Sequence, residues 1–587
     1  MSRRLHSLLG LTAVLVAAGL VAAGCGPKIP VEPDHSAGTL PGSTTTTGGA
    51  GVSTQTAPPP TQPESGPVRY AAQGVLQLGL TGPPSNWNIL ARHPVTPAPD
   101  SALSVVAQAV WPSAFVVNRD GTVTRNTNLL TSATETSTSP QRVVYDLNPR
   151  AEWSDGTAIT GADLVYTWQA QSGERRFADV GGKPFTPAST AAYSRVASVT
   201  TSASAPDQVT VTFKQPDADW ESLFDPILPA HVAQRVGFDR GFTDPVADLP
   251  SGGPFMVQSY DPGHSLVLVR NPMWWGPAAN LESVTISFVG SASDALPSLE
   301  LGQLDGAVTP LEAGSLVPRP GLSVRVGASA TYDDLIANER TGPLRRPALR
   351  QAVFLAVDRD AIAAAAVAAG DKGAQPVGNR ALLPDQPGYR NDVGFLGPAR
   401  GDVAKAKAVL RAAGYHLSHG VLTRQGRAVA LTLGLATDTS LAAADTDAIR
   451  RACAALGIRL TVLTTTPAQE TARVASGTYD LAVMAATVSP WPADLTAVYR
   501  TGARANVTGF SGPTMDGLLA RARTTAPGPA GEAAVVAVDR LAWRDAIDLP
   551  LVAQPEELTC QGRYANLSLA PWGVGAEMAA WGIELRT

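Results

Sequence analysis

Few residues in this 587-residue chain have the type and spacing to do chemistry. His416 and His419 stand three apart in GYHLSHG, a spacing that could hold a metal ion on one helical turn. That turn would follow Gly414, a helix-stopping residue, so the pair is expected as two exposed loop histidines. Asp155 and Asp163 could be imagined as an acid and base pair, but their setting at a turn and a helix start assigns them to structure. The sequence contains no P-loop, no H-E-x-x-H, no G-x-S-x-G and no C-x-x-C, and no nucleophile stands with an oriented base. The chain is therefore not expected to be an enzyme, and neither cofactor nor metal is expected. The remaining reactive groups are three thiols, Cys25, Cys453 and Cys560.

Cys25 closes a leader. Arg3 and Arg4 precede an apolar stretch from Leu8 to Gly24, and Ala22, Ala23 and Gly24 are small. A positive start, an apolar core and small residues at the cut make an export signal. A cysteine just after the cut resembles the bacterial lipoprotein signal, which implies a diacylglycerol on its sulfur. Residues 1–24 are thus expected to be removed, with Cys25 lipidated and the protein held at the outer face of the cytoplasmic membrane. An ordinary secretory leader and a single-pass anchor are the competing readings; the apolar run is short for a span. That compartment permits a disulfide between Cys453 and Cys560, although Cys453 lies on an apolar helical pattern and reads equally as a small buried residue.

The elements that must position any site come after a tether. Residues 25–70 include GTLPGSTTTTGGAGVSTQTAPPPTQPESGP, with almost no large apolar side chain. Such a segment cannot bury enough surface to fold and is expected as a flexible linker with a stiffer Pro-rich end. Across the whole chain, 44% hydrophobic and 16% charged residues describe a globular protein, and the length beyond the linker suffices for two or three lobes. The net charge of -5 offers no basic footprint for nucleic acid. RVVYDL, VTVTF, SLVLVR and VTISFV read as strands. PALRQAVFLAVDRDAIAAAAVAA, GDVAKAKAVLRAAG and DTDAIRRACAALG read as helices, the last two stopped by glycine. The mixture indicates an α/β protein.

Five segments in order resemble the extracellular solute-binding proteins of family 5, the dipeptide, oligopeptide and nickel-type receptors of ABC importers. Trp153, Ser154, Asp155, Gly156, Thr160, Asp163 and Trp168 in AEWSDGTAITGADLVYTWQ match that family's W-S-D-G signature position by position. ILPAHV, SGGPFMVQSYDPGHSLVLVRNPMWWG, LPSLELGQLDGA and PALRQAVFLAVDRDAI follow in the family's order. Local physics agrees: Asp155-Gly156 suits a tight turn, Thr160 suits a helix N-cap, and Asp163 suits the first helical turn. The resemblance implies a type II periplasmic-binding-protein fold, two lobes joined by a hinge with an inserted extra domain. Lobe I would comprise residues 71–110, 250–331 and 547–587, the inserted domain 111–249, and lobe II 332–546.

Ligand would then bind between the lobes of a monomer. Asn86 and Trp87, in a loop after the first strand, are candidate cleft residues, as is Asn338 at the passage into the far lobe. Ser489, Trp491 and Asp494 in VSPWPAD form the second candidate group. Peptide-binding relatives carry an acid here that pairs with the peptide ammonium; ungapped alignment puts their Trp on Thr487 and that acid on Pro490, leaving Asp494 as the substitute. The partners implied are a small solute or peptide and an ABC permease. The long tether and the missing amine anchor also resemble an actinobacterial lipoprotein subgroup, which implies a non-transport role in envelope glycolipid assembly with a mannosylated lipid as ligand.

Overall fold

The computed structural model describes residues 74–93, 101–118, 121–311, 321–384, 386, 388–436, 441–489, 491–561, 563–565, 567 and 582–583. The leader, Cys25 and the linker expected before residue 74 lie outside the described residues. Among the described residues no helix is long and apolar enough to cross a membrane.

A ten-stranded mixed sheet organises the fold. Its spatial order is Arg459–Thr465, Ala430–Ala436, Leu481–Thr487, Leu322–Ala337, Asp548–Gln561, Gly306–Pro310, Gly74–Thr81, Leu281–Val289, Ser265–Arg270 and Phe255–Asp261. Two of the runs read as strands from their patterning, SLVLVR and VTISFV, lie together with Gly74–Thr81 toward one end of this sheet. Two long antiparallel strands, Leu322–Ala337 and Asp548–Gln561, occupy the middle. One end of this pair is flanked by Gly306–Pro310 and the other by Leu481–Thr487, so each long strand serves both halves of the sheet. Their mutual register breaks between Ala328 and Tyr332 and again before Asp334. A break in a ladder weakens pairing locally and lets strands bend there.

Two large apolar cores lie on these halves. Leu76, Leu78, Trp153, Val209 and Cys560 belong to one; Leu349, Val353, Leu433, Ile449 and Cys453 belong to the other. The two cysteines are buried free thiols in separate cores, so no disulfide joins them. Burial pushes the Cys453 thiol up to about 12, which leaves it unreactive. His416 and His419 are exposed on a small hairpin, not on a helical turn. The apolar run from Pro347 is two helices, Pro347–Ala356 and Arg359–Ala369, because Asp358 accepts a hydrogen bond from the Ala361 N–H and caps the second.

A separate four-stranded antiparallel sheet, ordered Leu130–Thr138, Gln141–Leu147, Ala205–Phe213 and Val196–Ser202, carries the helix Gly161–Gln171. Thr160 caps that helix in a capping box: its hydroxyl accepts from the Ala162 N–H, and Asp163 accepts from the Thr160 N–H at 2.9 Å. The other Asp163 oxygen accepts from the Ala230 N–H at 2.8 Å, and Asp155 meets His231 at 2.7 Å. The W-S-D-G and L-P-x-H segments are thus one structural joint, not a catalytic pair. Asp163→Ala strands the buried Ala230 N–H and the half-buried Thr160 N–H, and should cost about 2–4 kcal/mol in urea unfolding. A loss below about 0.5 kcal/mol would contradict that role.

Candidate binding cleft

A cavity of about 600 Å³ opens where the two halves of the chain face each other. One wall begins at the end of the helix Ala102–Val110, continues through Trp111 and the strand Phe115–Val117, and is completed by Asp225, Gly252, Gly253 and Trp274. Glycine is needed at position 253, because a Cβ there would meet the Ala109 carbonyl oxygen at 2.2 Å. Trp111 is 2% exposed, packs edge-on against Phe242 at 5.4 Å, and its Nε1 has no hydrogen-bond partner among the described residues. Trp274 meets Trp275 at 4.8 Å with the rings tilted by 47°, and donates its Nε1–H to the Pro277 carbonyl, which fixes the ring.

The opposite wall is the loop that leaves the strand Leu481–Thr487 and enters the helix Pro492–Tyr499. Thr487, Val488, Ser489, Trp491 and Asp494 all line the cavity. Pro492 starts the helix, where its missing N–H costs nothing, and Asp494 sits in the first turn, where the helix dipole favours a carboxylate. The Ser489 hydroxyl donates to Asp494 at 2.5 Å and accepts from the Trp491 N–H at 3.2 Å. These bonds fix the loop that presents Trp491.

Among the described lining residues, Asp225 and Asp494 are the only ionisable side chains, and both are acids. Enclosure by protein raises both carboxyls above their ordinary range; the hydroxyls of Ser489 and Ser113 partly offset this at Asp494 and Asp225 respectively. Aromatic and aliphatic walls with two carboxyls, and no cation among the described lining residues, suit an apolar ligand bearing an amine.

A clasp closes one side of this cleft. Arg523, from the helix Pro513–Thr524, is 1% exposed and forks onto Asp217 with its Nε and Nη2. Its Nη1 donates to Ser194 at 2.9 Å, and its carbonyl accepts from the Ala218 N–H at 2.7 Å. Asp219 accepts from the Ala493 N–H at 2.5 Å, the residue immediately before Asp494. Burial and the neighbouring Asp217 hold the Asp219 carboxyl well above its usual range. Residues 191–219 therefore grip the same helix start that carries Trp491 and Asp494.

The family model for bacterial extracellular solute-binding proteins, family 5 middle region, matches residues 125–506. The chain belongs to this family. The oligopeptide-binding protein OppA of Mycobacterium tuberculosis is 30% identical over 512 residues, 85% of this chain and 83% of that protein. The probable monoacyl phosphatidylinositol tetramannoside-binding protein LpqW of the same species is 28% identical over 425 residues, 70% of this chain and 62% of that one. The solved structure of a periplasmic EDTA-binding protein, EppA, superposes with a TM-score of 0.78 at 28% identity, covering 88% of this chain and 98% of that one. The two-lobed α/β fold of these solute-binding proteins is the fold described above.

Within this solute-binding protein the residues expected at the ligand separate into two groups. Ser489, Trp491 and Asp494 meet at one wall of the cavity. Pro490 lies outside the described residues. Trp87 does not line the cavity: it is 1% exposed, its N–H donates to the Phe242 carbonyl, and Tyr260 meets its ring edge-on at 5.5 Å. Asn86 binds the Asp239 carbonyl at 2.9 Å through its Nδ2. Asn338 is fully buried, with its Nδ2 donating to the carbonyls of Gly477 and Tyr479. Trp111, Asp225 and Trp274 are cleft residues that sequence reasoning did not single out. Trp274 had a signal, since it stands where the family motif has tyrosine; Asp225 had none.

Proposed function

We propose that this protein is the extracytoplasmic receptor of an ABC importer, anchored through Cys25, and that its cleft takes a peptide or a similar amine-bearing solute. The observation that carries the reading is the cleft lining: Trp111, Trp274 and Trp491 with Asp225 and Asp494, and no basic side chain among the described lining residues. Asp494 then serves as the amine anchor that the family's alignment would have put at position 490. Residues 71–110, 250–331 and 547–587 act as one lobe, 111–249 as the inserted domain and 332–546 as the second lobe. The two lobes close about the register breaks in the long strands. A tether of some forty residues after Cys25 keeps the receptor concentrated beside its permease.

A second reading rests on the same three tryptophans. Flat aromatic faces also suit sugar rings, and the likeness to LpqW favours a mannosylated lipid as ligand. Native mass spectrometry of protein purified from its host separates the two. A co-purified peptide supports import, and a co-purified glycolipid overturns it. Trp491→Ala is expected to weaken binding of the co-purified ligand about tenfold or more while moving Tm by less than about 2 °C. A large Tm loss would instead place Trp491 in the core.

A further inference from the structure

Asp225 is exposed, lines the cleft, and has no cation beside it among the described residues. Two backbone hydrogen bonds pin it from either side. The Ala114 N–H donates to the Phe224 carbonyl at 2.9 Å, and the Ile227 N–H donates to the Pro112 carbonyl at 2.9 Å. The Ser113 hydroxyl donates to its Oδ1 at 2.5 Å, which leaves Oδ2 open. Phe224, just before it, has φ of 63°, a left-handed backbone that bulky residues rarely adopt. The Phe224 ring is fully buried and edge-on to Tyr145 at 5.3 Å, and its N–H donates to the Tyr193 hydroxyl at 2.9 Å. A strained turn held by its surroundings thus presents this carboxylate to the cavity.

Asp494, on the facing wall, differs. The Arg523 guanidinium favours its charged form, whereas at Asp225 only the Ser113 hydroxyl offsets enclosure. Closing the lobes brings the two acids toward each other with no base among the described lining residues. A ligand with a single positive group leaves one acid unmatched.

We propose that Asp225 forms a second cation subsite of the cleft, taking a lysine-type side chain of a peptide whose terminal amine sits at Asp494. The proposal rests on the peptide reading of the cleft, and narrows the ligand class from peptides in general to those with a basic side chain. One open carboxylate oxygen suits the compact ammonium of lysine better than the two-point fork of arginine. The two cations then hold the facing walls together, because each acid comes from a different wall.

Calorimetric titration of the purified protein with tripeptides tests this. The set carries lysine or norleucine at the first, second or third position, which differ by the ammonium group alone. At one position lysine should bind about tenfold tighter than norleucine, as expected for a charge-assisted hydrogen bond. Asp225→Asn keeps an acceptor for Ser113 at an exposed position, so Tm should move by less than about 2 °C. In that variant the lysine-to-norleucine ratio should fall to about one. Asp494→Asn should weaken every tripeptide and keep the ratio, which separates the side-chain subsite from the amine anchor. Equal binding of lysine and norleucine at all three positions in the unaltered protein overturns the subsite while leaving the peptide reading intact. A ratio that survives Asp225→Asn, or that is lost in Asp494→Asn, assigns the ammonium to another group and overturns the proposal. Absence of any tripeptide binding overturns the peptide reading, and the subsite falls with it.

Discussion

Arg523→Ala is expected to open the cleft, not to unfold the protein. Arg523 and Asp217 are 1% and 2% exposed, and Ala191, Ser194 and Ala218 bind the same arginine. Removing one member of a buried ion pair ordinarily costs about 3–5 kcal/mol, because the other charge stays buried and uncompensated. Here the molecule has an escape. The pair joins residues 191–219 to the helix Pro513–Thr524, so hinge opening returns Asp217 and Asp219 to water and avoids most of that cost. The variant should therefore show a larger radius of gyration in solution scattering and a modest Tm change. Apparent ligand affinity should fall about ten- to a hundredfold, since binding must now include the cost of closing. Arg523→Lys, which keeps the charge but loses the fork, should lie between. An unchanged radius of gyration with a Tm loss of many degrees would mean that the pair is core and not a clasp.

The clasp also explains why one wall of the cleft was legible in the sequence and the other was not. Ser489, Trp491 and Asp494 lie within six positions and fix one another through the Ser489 hydroxyl, so a local motif contains their geometry. The facing wall comes from residues 108–117, 225, 252–254 and 274, which only the tertiary fold assembles. Trp87 shows the converse. Its loop has the composition of a ligand loop, yet Tyr260 and Phe288, far along the chain, cover its ring. Asn338 likewise looked available, while its carboxamide satisfies the backbone carbonyls of Gly477 and Tyr479. Polar residues with several donors and acceptors are ambiguous in sequence, because binding a ligand and satisfying a buried backbone demand the same groups. By contrast the capping of Gly161–Gln171 by Thr160, and the left-handed Gly457 ending Ala442–Leu456, depend on neighbours within a turn and were readable directly.

The largest loss of stability is expected from Arg380→Met. Arg380 is 2% exposed beside the long strands, and no feature of its sequence neighbourhood announces it. Its Nε meets Asp548 at 2.5 Å and its Nη1 meets Asp539 at 3.1 Å, while Nη2 donates to the Asp548 carbonyl. The guanidinium lies 4.0 Å from the ring centre of Trp543, and Tyr499 donates its hydroxyl to the second Asp548 oxygen. Burial and Asp548 hold the nearby Asp334 carboxyl well above its usual range. One cation thus compensates two or three buried acids. Methionine preserves much of the volume and the contact with Trp543 but leaves those acids unpaired, at a cost of about 3–5 kcal/mol. The sign of the pH dependence follows from Asp539, whose burial already pushes it up to about 6 with Arg380 beside it. Without the arginine its folded value rises further, whereas the unfolded value stays near about 3.9. A raised carboxyl stabilises the fold most when protonated, below the unfolded value, and that contribution is lost as pH rises through the folded one. The deficit of the variant should therefore be smaller in urea unfolding at about pH 5 than at about pH 8. Equal deficits at both would mean that the lost cation–π contact with Trp543 and the lost hydrogen bond to the Asp548 carbonyl, and not the uncompensated acids, account for the change.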